Sequence, residues 1–334
     1  LDWLGGQGRE QADNEWHDTT AFITLENISK QFPGVLALDN VNLTLRKGEV
    51  HCLAGQNGCG KSTIIKVISG VYHPEKGAQI LLDGKLFHHL TPQLSSHYGI
   101  QVIYQDLSLF PNFSVAENIA VNRYLPGGDI WVRRGAMKQQ ALAAMKRIGV
   151  NIDPDKKVEK LSIADRQLVA ICRAIAADAR LVIMDEPTAS LTRQEVNGLL
   201  KVVNELKAAG ICVVFVSHRL DEVMEVADRI SVMRDGKLVG TYPASELDSH
   251  ELAFLMTGQR FHYSPLPEKS FEDREPLLEL RNLSRRGKYQ NINLSLHGGE
   301  IVSIVGLLGA GRTELCLSLF GMTYPESGEM RING

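Results

Sequence analysis

Residues 55–63 read GQNGCGKST, which places a lysine and two hydroxyl side chains directly after three spaced glycines. Glycines let the backbone N–H groups of such a loop turn toward an anion. The preceding EVHCLA suits a short strand, and the following TIIKVISGVY has helical periodicity. A helix that begins here would also direct the positive end of its dipole at the anion. The stretch therefore predicts a phosphate-binding loop of the Walker A type.

In such a loop the lysine reaches the outer phosphates of a nucleotide, and the hydroxyl after it is a ligand for Mg²⁺. We therefore expect ATP and Mg²⁺ as cofactors, with Lys61 at the phosphates and Ser62 at the metal. A glycine-rich turn that merely exposes its lysine is the alternative, but it leaves a second motif downstream unexplained. The residues expected to contact the nucleotide are Gly55, Gln56, Asn57, Gly58, Cys59, Gly60, Lys61, Ser62 and Thr63.

That second motif is LVIMDEPT at 181–188, an apolar run that ends in two carboxylates. Such a run is typical of a parallel strand buried on both faces. Ligands gather at the carboxyl ends of these strands. We therefore expect Asp185 to hold the Mg²⁺ shell and Glu186 to orient and polarise the attacking water. Taken alone, the pair could equally cap a solvated strand end.

Two further strand ends should bring polar side chains to the same edge. ICVVFVSHRLDEV at 211–223 ends its apolar run near His218, and VIYQDLSLF at 102–110 predicts a strand with Gln105 at its tip. We expect His218 at the terminal phosphate and Gln105 at the metal or the water. A lone histidine at a strand end is more often structural, and a lone glutamine carries no information. The predicted catalytic residues are Lys61, Gln105, Glu186 and His218.

The phosphate loop occurs twice, because residues 306–314 read GLLGAGRTE. DNVNLTLRKGEV at 39–50 aligns with QNINLSLHGGEI at 290–301, and LENISK at 25–30 aligns with LRNLSR at 280–285. Matches that hold their register over roughly 55 residues indicate a duplicated domain.

The duplication predicts the domain boundaries. The first copy covers residues 21–258, with a helical arm at about 106–178, whereas the second covers only 277–334. Residues 259–276 are rich in proline and charge, as linkers are. Residues 1–20 lack an initial methionine and an apolar segment, which predicts a disordered extension. The short second copy suggests a truncated or fragmentary chain.

Composition, net charge and cysteine spacing limit the classes of function that the chain can have. Of 334 residues, 44% are hydrophobic and 22% charged, and the net charge of −3 gives no general attraction to nucleic acid or anionic lipid. The most apolar runs are far shorter than the ~20 residues that span a bilayer, so a cytosolic protein is expected. The five cysteines include no Cys-x-x-Cys pair, so neither a zinc site nor a disulfide framework is predicted.

In their order the motifs resemble the nucleotide-binding subunits of ATP-binding cassette (ABC) transporters. LSIADRQ at 161–167 stands in the place of the family's signature, and ASLT at 189–192 in the place of its D-loop. The resemblance implies an α/β P-loop NTPase cassette with a mostly parallel sheet, an antiparallel β subdomain and a helical arm, followed by the start of a second cassette. It also implies that Phe32 stacks on adenine, with a core phenylalanine as the alternative.

The tandem cassettes, and the stretches PGVLALDNV, DEPTASLT and SVMRDGKLVG, resemble the sugar-import ATPases of the ribose, xylose, galactose, arabinose and autoinducer-2 type. This implies ATP hydrolysis coupled to uptake of a monosaccharide or related small sugar. The implied partners are integral-membrane permease subunits, contacted through Leu107–Asn118, and indirectly a periplasmic sugar-binding protein, but no nucleic acid. The apolar stretch LSLFPNF at 107–113 could equally belong to the core of the arm. The chain would sit peripherally at the cytoplasmic face of the inner membrane. Arg312, in the place of Lys61, would mark a degenerate second site.

Two departures from the family pattern weaken this cassette as a partner. Ile163 and Ala164 replace the glycines of the usual LSGGQ signature, and their side chains should hinder approach to a γ-phosphate on an opposing cassette. Ser162 remains at the head of a predicted helix, whereas Thr192 ends the D-loop where aspartate is commoner. The Lys61 site would need a signature from a second cassette, in cis or in trans.

Two other functions stay open at this point. A soluble twin-cassette ATPase would act on ribosomes or nucleic-acid machinery, although such proteins usually keep intact signatures and a long charged linker. The chain as given could also be a nucleotide-binding fragment without turnover.

Overall fold

The computed structural model describes residues 20–124, 134–260, 274–307 and 309–333. The chain divides into two compact units, Leu1–Phe261 and His262–Gly334. Almost all of the predicted 1–20 extension, and most of the predicted 259–276 linker, lie outside the described residues. These boundaries therefore stay predictions.

The described strands of the first unit form two sheets. In chain order the strands are β1 (Ala21–Phe32), β2 (Val35–Arg46), β3 (Val50–Gly55), β4 (Gln79–Leu82), β5 (Lys85–Phe87), β6 (Ile100–Ile103), β7 (Leu181–Asp185), β8 (Cys212–Val216), β9 (Arg229–Arg234) and β10 (Lys237–Pro243). The smaller sheet has the order β2-β1-β4-β5 and is antiparallel. The larger has the order β10-β9-β3-β8-β7-β6 and is parallel except for β10. The predicted combination of a mostly parallel and an antiparallel sheet is confirmed.

The central strands are apolar on both faces because both faces of their sheet are covered. Every residue of β3 and β8 is buried. Along β7 the side chains alternate, so that Val182 and Met184 pack into one core cluster and Leu181 and Ile183 into another. This is the two-residue period of a strand. The parallel strands β3, β6, β7 and β8 then end at one edge of the sheet.

The helices cover this sheet and form a separate arm. They are α1 (Lys61–Ile68), α2 (Pro92–His97), α3 (Val115–Tyr124), α4 (Arg134–Arg147), α5 (Ile163–Ala176), α6 (Arg193–Ala208), α7 (Leu220–Val226) and α8 (Ser249–Thr257). Helix α1 shares a core cluster with the antiparallel sheet, whereas α3 to α6 belong to the cluster on the other face. Helices α3, α4 and α5 pack on one another as the arm. None of the helices in the described ranges is long and apolar enough to cross a membrane.

The described part of the second unit repeats the order of the antiparallel sheet. Strands β11 (Pro276–Arg285), β12 (Tyr289–His297) and β13 (Ser327–Ile332) form a sheet of order β12-β11-β13, and α9 spans Arg312–Leu319. By the sequence alignment β11 corresponds to β1, and β12 to β2. The sheet thus reproduces the β2-β1-β4 order of the first unit.

The two β hairpins also agree in their irregularities. Asn27 has a left-handed φ of 53°, and its N–H donates to Asn42 Oδ1 at 2.8 Å. In the second unit Asn282 has φ of 49°, and its N–H donates to Asn293 Oδ1 at 2.9 Å. Asparagine tolerates this conformation because its short polar side chain can bond locally. Shared bulges of this kind support the internal duplication.

The two units differ where β3 would recur. Residues 301–306 are not a strand, and Ile301 and Val305 are exposed. Strand β3 extends because β8 pairs with one of its edges and β9 with the other. Neither partner has a counterpart among the described residues of the second unit. An apolar sequence alone does not fix a parallel strand whose hydrogen bonds must come from neighbours.

We expect Phe215→Ala to destabilise the first unit strongly. Phe215 of β8 is fully buried, and its removal should lower the free energy of unfolding by about 3–5 kcal/mol, partly through the cavity left behind. Leu142→Ala on α4, whose side chain is 40% exposed, is the control and should cost about 1 kcal/mol or less. Urea unfolding followed by circular dichroism compares the variants. Equal losses would contradict the assignment of Phe215 to the core.

Candidate functional site

Lys61 is buried inside the loop that connects β3 to α1. Its Nζ donates to the carbonyl oxygens of Gly55 at 2.7 Å and Gln56 at 2.8 Å, and the residue is only 7% exposed. Within the described residues no carboxylate lies at ion-pair distance from this ammonium group. A buried charge among neutral dipoles is poorly compensated. The loop therefore fits an anionic ligand, as predicted for phosphates.

The loop can form only with glycine at its end. Gly60, which precedes α1, has φ of 108°, and a Cβ there would lie 2.7 Å from the carbonyl oxygen of Ala37. Gly58 has φ of 82°, with open space where its Cβ would be. A side chain is thus excluded by contact at Gly60 and by backbone strain at both positions.

Three chain segments that are distant in sequence meet around one cavity of about 380 Å³. The phosphate loop, the segment after β6 and the end of β7 all contribute. The lining residues are Asn57, Gly58, Gly60, Lys61, Ser62, Thr63, Gln105, Asp185 and Glu186. The structure thus brings together most of the predicted site, whereas Phe32, Gly55, Gln56, Cys59 and His218 lie outside this lining.

Asp185 has a perturbed carboxyl group at the end of β7. Burial raises its pKa, and the neighbouring Glu186 carboxylate raises it further, while Lys61 and Lys66 act in the opposite direction. A cation beside Asp185 would relieve both the desolvation and the repulsion. Hard oxygen ligands such as Asp185 and the exposed Ser62 hydroxyl suit Mg²⁺. The residues present therefore fit the predicted metal.

Glu186 and His218 meet at adjacent strand ends. The Glu186 N–H donates to the carbonyl oxygen of Val216, the last residue of β8, at 3.0 Å. This link carries Glu186 beyond β7 with an unusual φ of 50°. Its Oε1 lies 3.3 Å from His218 Nδ1, with the side chains 24% and 55% exposed. Carboxylate and imidazole thus form a pair beside the cavity.

Gln105 lies in a turn rather than in a strand. Strand β6 ends at Ile103, two residues before the predicted tip at Gln105. Leu107 and Ser108 adopt consecutive left-handed φ values of 58° and 44°, which turn the chain away from the strand direction. The Arg173 guanidinium of α5 donates to the carbonyl oxygens of Ser108 at 2.7 Å and Leu107 at 2.8 Å. Arg173 thus holds this turn. Because it lies 65 residues from Ser108 in the sequence, no local pattern near Gln105 predicts the contact.

Ser162 of the signature and Thr192 of the D-loop serve as helix caps. Ser162 Oγ accepts from the N–H of Asp165 at 3.1 Å, and α5 begins directly after it, which confirms the predicted capped helix. Ile163 is 52% exposed at the start of that helix. Thr192 forms a capping box with Glu195 at the start of α6. A hydroxyl at these positions is thus satisfied locally.

Phe32 ends β1 and is half-buried. Its ring packs edge-on against Tyr72 at a centroid distance of 5.3 Å, and Lys30 Nζ lies 5.6 Å from its centroid. These contacts are compatible with either a structural or an adenine-binding side chain. The stacking of Phe32 on adenine therefore stays a prediction.

The second loop has a different environment. Arg312 is exposed at the start of α9, in contrast to the buried Lys61. Glu314, aligned with Thr63, puts a carboxylate where the first loop has a hydroxyl, and it pairs with Lys288 at 3.2 Å. Leu308 of this loop lies outside the described residues.

Replacing Asp185 by asparagine should stabilise the nucleotide-free chain at neutral pH. Because the folded-state pKa is raised, the folded state binds more protons than the unfolded state between about 3.8 and that raised pKa, so stability falls with rising pH across this window. The gain in melting temperature from Asp185→Asn should therefore be full above the window and shrink toward pH 3.8. Thermal unfolding at several pH values measures it. Asp221→Asn, which removes an exposed partner of Arg193, is the control and should give no gain. A lower melting temperature for Asp185→Asn at neutral pH would contradict the argument.

Comparison with known proteins agrees with this geometry. The family model described as ABC transporter matches residues 38–189 and 289–334, which is more than half of the chain. The chain is 43% identical over 313 residues to the ribose import ATP-binding protein RbsA 3 of Rubrobacter xylanophilus, covering 93% of this chain and 62% of that protein. It is 42% identical over 318 residues to a putative ribose/galactose/methyl galactoside import ATP-binding protein of Agrobacterium fabrum, covering 95% and 62%. The chain thus spans less than two thirds of the length of these relatives.

Solved structures extend the comparison to the fold. The ADP conformation of MJ1267, an ATP-binding cassette of an ABC transporter, is similar with a TM-score of 0.63 at 28% identity, covering 72% of this chain and 96% of that one. A dimeric structure of the bacterial cassette MJ0796 has a TM-score of 0.58 at 24% identity and supports the fold alone. With its family match, its Walker motifs on one sheet edge and this cassette fold, the chain belongs to the ABC transporter family of P-loop ATPases.

Proposed function

We propose that this chain is the ATP-binding and ATP-hydrolysing subunit of an importer for a monosaccharide or related small sugar. The observation that carries the nucleotide site is the buried Lys61 ammonium group in the same cavity as Asp185 and Glu186. The sugar is inferred from the names of the relatives, which describe them as ribose and galactose import proteins. Because the chain spans only part of those proteins, the activity of the whole assembly is part of the proposal.

The residues divide the proposed chemistry between them. Lys61 exchanges the carbonyls of Gly55 and Gln56 for the outer phosphate oxygens, where its charge is compensated. Ser62, Asp185 and Gln105 would hold Mg²⁺, which would neutralise charge on the phosphates when bound. Glu186 orients the attacking water and accepts its proton, and it is within reach because it lines the same cavity.

His218 completes the proposed catalytic set. Its imidazole is exposed beside Glu186 and contacts the terminal phosphate with the nitrogen that Glu186 does not hold. Both partners are hydrogen-bond acceptors, so the imidazole can bond Glu186 through Nδ1 and the phosphate through its other nitrogen only when both ring nitrogens carry a proton. His218 thereby connects the terminal phosphate to the end of β8.

A complete site requires a second cassette. The proposed organisation is a first cassette at 21–258, a linker at 259–276 and a degenerate second cassette beginning at 277. The exposed Ile163 side chain stands where the usual signature has glycine, which makes the first cassette a poor partner for another copy of itself. The Lys61 site is therefore completed by a signature from a second cassette in cis or in trans.

The surface after Gln105 is the proposed permease contact. Phe110 and Phe113 are 46% and 44% exposed and stack with centroids 5.2 Å apart. Buried Asn118 fixes the backbone of Phe110, since its Oδ1 accepts from Phe110 N–H at 2.8 Å and its Nδ2 donates to the Phe110 carbonyl at 3.0 Å. An exposed, rigid aromatic pair is suited to a protein partner. Through it the subunit would sit at the cytoplasmic face of the inner membrane, with the periplasmic sugar-binding protein reached only through the permease.

Lys61→Ala should weaken binding of Mg·ATP by about 10- to 100-fold, since a hydrogen bond to a charged group contributes about 1.5–3 kcal/mol. Isothermal titration on the full chain measures the affinity. Arg312→Ala, the matched change in the second loop, should leave the high-affinity site unchanged. Equal affinity of wild type and Lys61→Ala would remove the first loop as the nucleotide site.

Glu186→Gln should retain nucleotide binding while slowing hydrolysis at least ~10²-fold, the scale for loss of a general base. Steady-state ATPase assays use the protein assembled with its permease. Unchanged turnover with normal binding would exclude Glu186 from this role. Nucleotide binding without turnover in the wild-type assembly would favour a non-hydrolysing nucleotide-binding module instead.

A further inference from the structure

Glu222 is a fully buried carboxylate in the first turn of α7, with 0% exposure. Its Oε2 accepts hydrogen bonds from Thr188 Oγ1 at 2.5 Å and from Ser217 Oγ at 3.1 Å. Its Oε1 accepts from Arg219 Nη1 at 2.6 Å. A buried carboxylate is tolerated only when donors satisfy it. Here three side chains from two segments do so.

These donors belong to the segments that carry Glu186 and His218. Thr188 follows Glu186 by two residues, whereas Ser217 directly precedes His218 and Arg219 directly follows it. Ser217 Oγ also accepts from the Arg219 N–H at 3.1 Å, which tightens the turn around His218. One carboxylate therefore joins the ends of β7 and β8 just beyond the last bonds of the sheet.

Of the proposed catalytic pair, His218 has little packing to hold it, whereas Glu186 is more enclosed. His218 is 55% exposed and Glu186 24% exposed, and they meet at 3.3 Å. Thr188 and Ser217 are each 2% exposed, so the rigid part of this region is the buried network and not the pair. A negative charge near the start of α7 would interact favourably with the helix dipole, but the exposed Asp221 already supplies that charge. The helix dipole therefore does not explain why Glu222 is buried. The bond to Thr188, 34 residues away, needs another reason.

We infer that Glu222 is a positioning residue that sets the Glu186–His218 distance through Thr188 and Ser217. The effect on turnover rests on the proposed hydrolysis, whereas the effect on His218 does not. A small misplacement of a catalytic group lowers the rate without altering ligand binding elsewhere in the site. Loss of the network should therefore lower kcat and leave the phosphate loop around Lys61 unchanged.

The test uses Thr188→Val, which keeps the shape of the side chain but removes its hydroxyl, and Thr188→Ser, which keeps the hydroxyl. In the assembled transporter, Thr188→Val should lower kcat for ATP about 10-fold or more with KM unchanged. Thr188→Ser should stay near wild type. Ser217→Ala removes the other hydroxyl donor and should lower kcat in the same way. It serves as the readout if thermal unfolding shows that Thr188→Val does not fold.

A second measurement is independent of turnover. In the full chain labelled with ¹⁵N-histidine, the His218 Nδ1 resonance, assigned by its loss in His218→Gln, reports the contact with Glu186. It should move in Thr188→Val and not in Thr188→Ser. A wild-type assembly without turnover counts against the proposed hydrolysis only. Unchanged kcat and an unchanged His218 resonance in a folded Thr188→Val protein would overturn the positioning role, as would equal effects of the valine and serine variants.

Discussion

The ammonium group of Lys61 lies between the carbonyl oxygens of Gly55 and Gln56, in a loop that leaves the residue 7% exposed. Neutral dipoles do not compensate a buried charge as an anion does. Asp185, which lines the same cavity, carries a negative charge that is also poorly compensated, because burial and the Glu186 carboxylate raise its pKa. Each part of the site is therefore incompletely compensated by itself. A ligand that carries both phosphate and a divalent cation compensates the two together.

The parallel sheet makes this arrangement possible. Its strands are covered on both faces, so their polar residues can gather only where the strands end. Two longer-range contacts then fix those ends. Arg173 holds the turn after Gln105, and Glu222 joins the segments after β7 and β8. The side chains that we propose as nucleotide contacts are partly exposed, whereas Thr188, Ser217 and Glu222 behind them are buried.

The two copies of the domain agree in their β hairpins but differ in their phosphate loops. The β hairpins agree even in the hydrogen bonds of Asn27 and Asn282. The loops differ in Lys61 against Arg312, and in burial as well as in identity. A duplicated domain can thus keep the residues that form its β hairpin while the residues of its phosphate loop change. The asymmetry that we propose for the two nucleotide sites follows from this independence.

The sequence by itself determined the features that depend on nearby residues. The phosphate loop with its spaced glycines, the Ser162 cap and the repeat of the hairpins could all be read from short sequence patterns or from alignment of the two copies. The apolar runs identified β7 and β8, and the cassette fold followed from the order of the motifs. The tertiary structure decided the contacts that bridge long separations. These are Glu186 with His218, Arg173 with the turn at Leu107, and Glu222 with Thr188.

The physical reason lies in where the hydrogen bonds come from. A cap or a tight turn is satisfied by its own neighbours, so its pattern can be read locally. A parallel strand depends on partners elsewhere in the chain, which is why residues 301–306 do not extend as β3 does. The turn that follows β6 is likewise held from a distance, since the carbonyl oxygens of Leu107 and Ser108 accept hydrogen bonds from Arg173. Local sequence pattern determines where a strand or helix can form, and long-range hydrogen bonding determines how far a strand extends.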